Sequence, residues 1–291
     1  MLSPIAGPGC SSAGKISNSA IEKFELPGVK HIVAVASGKG GVGKSTVSVN
    51  LAAALAASGK RVGLLDADIY GPSQGALLGI PEGTRPDVNN ELLQPLVAHG
   101  VGCMSMGFVT SERTPAIWRG PMASGALQQL LTQTNWGELD FLIVDMPPGT
   151  GDIQLTLAQK VPLAGAVIVT TPQDIALLDA RKGIEMFRKV AVPVIGIVEN
   201  MSIHVCSNCG HEEAIFGQGG GKAVAGDYET ELLGQLPLTL KLREQSDVGT
   251  PIVISDPDAV TSVTIREVAD KVQTFVEKNV SKAPVINIFN D

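Results

Sequence analysis

The chain has 291 residues and carries 22 basic against 29 acidic side chains, for a net charge of −7; 44% of its residues are apolar and only 4% aromatic. That length and apolar content support a buried core and exclude general disorder. The acidic balance argues against nucleic acid and anionic membrane as partners, the few aromatics leave no base-stacking platform, and no apolar run approaches the roughly 20 residues of a membrane-spanning helix.

Residues 1–28 begin rich in Gly, Pro and Ser and predict a loosely ordered leader, in which Cys10 stands alone. From His31 the pattern changes. Ile32 to Ala36 is a short apolar run bounded by glycine, which predicts a buried strand. An Ala- and Leu-rich helix follows from about Ser45 to Ala57, with Gly59 placed to cap it. Further strands are predicted at Arg61 to Asp66, Phe141 to Val144, Ala166 to Thr170, Val194 to Val198 and Leu232 to Leu236. Helices at about Ala123 to Gln133, Ile175 to Lys189 and Thr261 to Lys278 alternate with them. This is an α/β pattern, a mostly parallel sheet with helices on both faces. One domain is expected over 29–280, with an insertion near 202–226 and a short tail at 281–291. No basic segment followed by an apolar core marks export. The four cysteines, Cys10, Cys103, Cys206 and Cys209, are too few for a disulfide scaffold, so a reducing, cytoplasmic setting is expected.

Gly38-Lys39-Gly40-Gly41-Val42-Gly43-Lys44-Ser45 matches G-x-x-x-x-G-K-[ST], between a predicted strand and a predicted helix. Glycines let the backbone curl so that successive N–H groups point at phosphate oxygens, and the helix N-terminus adds its positive dipole end. Lys44 reaches the β- and γ-phosphates and the Ser45 hydroxyl suits Mg²⁺. Lys39 is a second cation, placed either for solvent or to reach a neighbouring subunit's nucleotide. Asp66, Asp68 and Asp145 stand at predicted strand ends, where parallel α/β sheets bind ligands. Asp145 closes an apolar strand, the pattern of the acid that holds Mg²⁺. The following Pro147-Pro148-Gly149 turn is suited to sensing a γ-phosphate. No [NT]-K-x-D guanine reader occurs, so adenine is the expected base, and Asn200 is a candidate to read it.

Cys206-Ser207-Asn208-Cys209-Gly210 is a CxxC knuckle. One knuckle supplies two ligands, whereas a Cys₄ site needs four. Two chains meeting at a twofold axis would complete it for a [4Fe–4S] cluster or Zn²⁺. A one-chain zinc site with His204 and His211, or a redox dithiol, are the alternatives, and spacing does not choose iron from zinc.

Lys39 to Thr46 resembles the deviant Walker A box of the partition and positioning ATPases, with its extra lysine. Asp66-Ala67-Asp68-Ile69-Tyr70-Gly71-Pro72-Ser73, Trp118 to Met122, Asp145 to Asp152, and Glu199-Asn200-Met201 followed by the CxxC narrow the resemblance to the Mrp/ApbC branch, the iron–sulfur cluster carrier ATPases. The resemblance implies an ATP-hydrolysing homodimer with nucleotide at the subunit interface. Lys39 would reach the partner's nucleotide, and Asp68 would position the attacking water. Asp66 and Asp145 would support Mg²⁺, and Asn200 would contact adenine. Cys206 and Cys209 would bridge a [4Fe–4S] cluster, received from an assembly scaffold and passed to apoproteins. With about 28 residues upstream, the small acidic domain of many members is expected to be absent or much shortened. A zinc-stabilised positioning switch on the same frame is the competing reading.

Overall fold

The computed structural model describes residues 23–109 and 120–280. The leader up to residue 22 with Cys10, the motif residues Trp118 and Arg119, and the tail 281–291 lie outside the described residues.

The chain opens with β1 (Val29–Ala36), α1 (Lys44–Ala57) and β2 (Val62–Asp66), then a short α2 (Gln74–Leu77). A hairpin of β3 (Val88–Asn89) and β4 (Leu92–Leu93) precedes β5 (Leu96–Ala98), β6 (Val101–Ser105) and α3 (Met106–Val109). Next come α4 (Gly120–Thr132), β7 (Leu139–Asp145), α5 (Asp152–Lys160), β8 (Gly165–Thr170) and α6 (Asp174–Lys189). The last part holds β9 (Val194–Val205), β10 (Glu212–Glu213), α7 (Gly220–Asp227), β11 (Glu231–Leu238), α8 (Leu240–Asp247), α9 (Ile252–Ser255) and α10 (Val260–Val280).

The main sheet runs β10-β9-β8-β1-β7-β2-β6-β5, with β11 also paired to β9. Pairings among β6, β2, β7, β1, β8, β9 and β11 are parallel, while β5 and β10 are antiparallel. Strands buried on both faces need unbroken apolar runs, and β2 and β8 are buried at every position. Helix α1 is buried from Val47 to Leu55, enclosed by the sheet and by α9 and α10, which explains its Ala-rich, all-round apolar sequence. Gly59, at φ +88°, donates its N–H to Ala56 O and ends the α1 turn as expected of a C-terminal glycine.

Every predicted strand and helix forms, with boundaries shifted by a few residues. Strand β9 is the exception in extent. It does not stop at Val198 but continues through Glu199 and Asn200 to Val205, because tertiary partners satisfy both polar side chains. The stretch read as an insertion is therefore partly frame: Ser202 to Val205 continue β9, and α7 packs against β9, β11 and α6. Between them β10 adds an antiparallel edge to β9.

Candidate nucleotide and metal-binding site

The phosphate loop joins β1 to α1. Ser37 Oγ donates to Lys39 O at 2.8 Å, and Ser37 O accepts Gly149 N–H at 2.9 Å, tying the loop to the Pro147-Pro148-Gly149 turn. Gly41 and Gly43 adopt φ +79° and +82°, the left-handed region that glycine enters freely. Glycine is also required for close approach. A Cβ on Gly38 would sit 2.0 Å from the Asp179 carbonyl oxygen of α6, and one on Gly43 would sit 2.1 Å from Asn200 Nδ2. Asn200 donates that amide to Val42 O at 2.9 Å, so β9 touches the loop directly.

Behind the loop lies a buried polar cluster. Lys44 Nζ bonds Asp145 Oδ1 at 2.7 Å and lies 3.2 Å from Ser45 Oγ. Ser48 Oγ donates to the same Asp145 oxygen at 2.7 Å. Gln74 Nε2 donates to Asp145 Oδ2 at 2.8 Å and to Ser45 O at 3.1 Å. Asp66 stands opposite Asp145 in the register of β2 and β7. It accepts the backbone N–H groups of Ser73, Gln74 and Asp68, and the Ser105 hydroxyl. Burial first, then the charge of Asp145, push the Asp66 carboxyl up to about 7, against the pull of those N–H groups. Asp68 is half-buried and accepts Gly71 N–H at 3.2 Å. Lys39 is half-buried at the loop, and among the described residues it has no ion-pair partner.

These residues fit a magnesium nucleotide. Ser45 and Asp145 offer hard oxygen atoms beside the lysine, and Gln74 Oε1 is a buried acceptor without a partner among the described residues. Ser48, Gln74 and Ser105 escaped the sequence reading. Ser48 had a signal, since it falls one helical turn after Lys44. Gln74 and Ser105 had none, because only the sheet order brings them to Asp145 and Asp66.

A cavity of about 410 Å³ opens where β9 and β11 end, walled by Ser202, Val205, Glu212, Pro237, Thr239 and Thr261 among others. It adjoins the strand that carries Asn200.

The cysteine knuckle caps the β9–β10 hairpin. Cys206 N–H bonds His211 O at 3.0 Å and Gly210 N–H bonds Cys206 O at 2.9 Å, with Gly210 at φ +72°. The N–H groups of Asn208 and Cys209, and then the Cys209 side chain, hold the Cys206 thiol below its ordinary range. Cys209 is exposed. Among the described residues no three His, Cys, Asp or Glu side chains gather into one cluster, at the knuckle or elsewhere. Nor does the pair open a helix, as a thioredoxin-like dithiol would.

The family model for the NUBPL iron-transfer P-loop NTPases, within the ParA group, matches residues 28–273. The chain belongs to that family. It is 63% identical over 249 residues to the iron–sulfur cluster carrier protein of Pseudomonas fragi, covering 84% of this chain and 87% of that one. It is 51% identical to the mouse iron–sulfur cluster transfer protein NUBPL, covering 85% and 78%. Among solved structures it resembles a nucleotide-binding protein from Archaeoglobus fulgidus, in complex with ADP and with cobalt found, at TM-score 0.68 and 40% identity over 76% of this chain and 87% of that one. The cell-division ATPase MinD of Pyrococcus furiosus shares the fold at TM-score 0.63 and 21% identity, covering 84% of this chain and 98% of that one.

Proposed function

We propose that this protein is an ATP-hydrolysing carrier of iron–sulfur clusters. It works as a homodimer, holds a [4Fe–4S] cluster between Cys206 and Cys209 of the two protomers, and passes it to apo iron–sulfur proteins. An assembly scaffold supplies the cluster. The observation that carries this reading is that each chain has one two-thiol knuckle, half of a Cys₄ set, on the frame of a phosphate-binding loop. The names of its relatives support the cargo.

The residues divide the work by position. Gly38 to Thr46 wrap the phosphates, with Lys44 as the central cation. Ser45 and Asp145 would hold Mg²⁺, which neutralises phosphate charge, and Asp66 supports Asp145 from the buried side. Asn200, which touches the phosphate loop, contacts the adenine. Asp68 orients the attacking water, and Lys39 extends to the partner's nucleotide. Hydrolysis is slow, because the chemistry serves as a switch. Self-association is supported by Ile175 and Leu178, which expose apolar side chains on α6, the helix that packs against Gly38. Residues 29–280 act as one ATPase domain. The described cysteines are free thiols, which suits the reducing cytoplasm.

Metal and acid-labile sulfide analysis after anaerobic reconstitution tests the reading. The expected result is about four iron and four sulfide per dimer, lost in the Cys206→Ala/Cys209→Ala variant. Tightly held zinc that resists iron and sulfide would overturn it and leave the knuckle as a structural clasp.

A further inference from the structure

Glu199 lies within β9 and has no exposed surface. A carboxylate survives such burial when hydrogen bonds satisfy it. Its Oε2 accepts Gly221 N–H at 2.5 Å, and its Oε1 accepts Gln235 Nε2 at 2.6 Å. Gly221 is the second residue of α7, so the carboxylate sits against the free N–H end of that helix, where negative charge is favoured. Gln235 is its register partner on β11. Three segments therefore meet at one side chain: the strand leading out to the knuckle, the helix start that ends the knuckle's return arm, and β11.

The hairpin needs such a tie. Its arms pair at Glu212 with Val205 and Glu213 with His204, with one further bond from Cys206 N–H to His211 O. So short a hairpin is not stable by itself, and the last β9–β11 pair, His204 with Leu238, holds only the outgoing arm. The return arm then crosses to α7 past Pro172 and Leu177, against which Gly220 packs. Glu199 closes the segment 199–221 at its base. Its neighbour Asn200 contacts the phosphate loop instead. Successive side chains on a strand point to opposite faces, so the two duties stay separate.

We propose that Glu199 is the positioning residue of the Cys206–Cys209 knuckle, tying both arms together so that the two thiolates keep the geometry a shared cluster needs. This rests on the carrier reading of the cysteine pair. Loss of the carboxylate loosens the knuckle and spares the nucleotide site.

The test compares full-length wild type, Glu199→Ala and Glu199→Gln. Glutamine keeps an acceptor for Gly221 N–H, and the Gln235 amide can turn its oxygen toward the new NH₂ group. Three properties are read: amide hydrogen exchange, cobalt(II) affinity from thiolate-to-cobalt absorption, and affinity for a fluorescent ADP. In Glu199→Ala, exchange protection should fall over 203–221 and hold over 38–50. Cobalt affinity should drop between about 10- and 100-fold, as for other residues that orient metal ligands. ADP affinity should stay within about twofold, because the phosphate loop and its Asn200–Val42 contact do not use the Glu199 carboxylate. Glu199→Gln should restore both knuckle readouts.

Unchanged protection over 203–221 in Glu199→Ala overturns the proposal. So does a loss that spreads to 38–50 and to ADP binding, which would mark Glu199 as general support. Failure of Glu199→Gln to restore the knuckle also overturns it. If wild type takes up neither cobalt nor cluster while the exchange pattern is as expected, the carrier reading fails and the tie stands.

Discussion

Asp66 and Asp145 oppose each other on adjacent strands, and neither has exposed surface. Lys44 brings one positive charge to the pair, at 2.7 Å from Asp145. Two carboxylates so close and so dry resist double ionisation. Asp66 is accordingly pushed up to about 7, whereas in the unfolded chain an aspartate titrates near ~3.9. Between those values the folded chain keeps a proton that the unfolded chain releases. The stability this confers is complete below about pH 4 and is lost as pH rises through about 7. Urea midpoints of the nucleotide-free protein should therefore fall from about pH 5 to about pH 8. Asp66→Asn, which keeps the shape and an acceptor for the N–H groups around it, should flatten that slope. An unchanged slope in the variant would assign the titration to another group.

At the scale of elements, the contact between the phosphate loop and α6 leaves no room for a side chain. Gly38→Ala places a methyl 2.0 Å from the Asp179 carbonyl oxygen, so the loop or the helix must shift. Overpacking of this kind costs roughly 1–3 kcal/mol. Urea unfolding should show that loss, and ADP affinity should fall with it, because the shifted loop no longer aims its N–H groups. Unchanged stability and affinity would mean that α6 yields without cost. This contact also marks what the sequence made legible. The glycines, Lys44 and Asp145 were readable because their roles depend on neighbours along the chain: a strand, a turn and a helix start. Helix α5 was missed because Ile153, Leu155 and Leu157 alternate like a strand, although Asp152 in the first turn and Lys160 in the last favour the helix. Strand β6 was missed because Val101-Gly102-Cys103-Met104-Ser105 is short and carries a glycine. The reach of β9 was hidden by Glu199 and Asn200, whose polarity looked like a strand end. Their partners, Gly221, Gln235 and Val42, come from distant segments, and no local pattern records them.

Across the whole molecule, β9 is the physical link between the two sites. It runs beside β11, touches the phosphate loop through Asn200, and continues to Val205, next to Cys206. The turn at Gly149 approaches the loop from the other side through Ser37. The phosphate loop thus directly touches β9 and the Gly149 turn. The cluster, however, would be bound by thiolates that need no phosphate. Assembly and transfer should therefore separate when the loop is disabled. Lys44→Ala removes the cation that bonds Asp145 and would grip phosphate, but leaves Glu199, Gly210 and the N–H groups around Cys206 in place. The variant should take up iron and sulfide like wild type after anaerobic reconstitution, yet transfer the cluster to an apoprotein more slowly, with no response to ATP. Transfer can be followed by recovery of the recipient's absorbance or activity over time. Equal, ATP-responsive transfer by both proteins would break the link between the sites. Failure of Lys44→Ala to assemble a cluster would instead mean that the buried lysine holds β9 and the knuckle in place, and that the two sites form one cooperative unit.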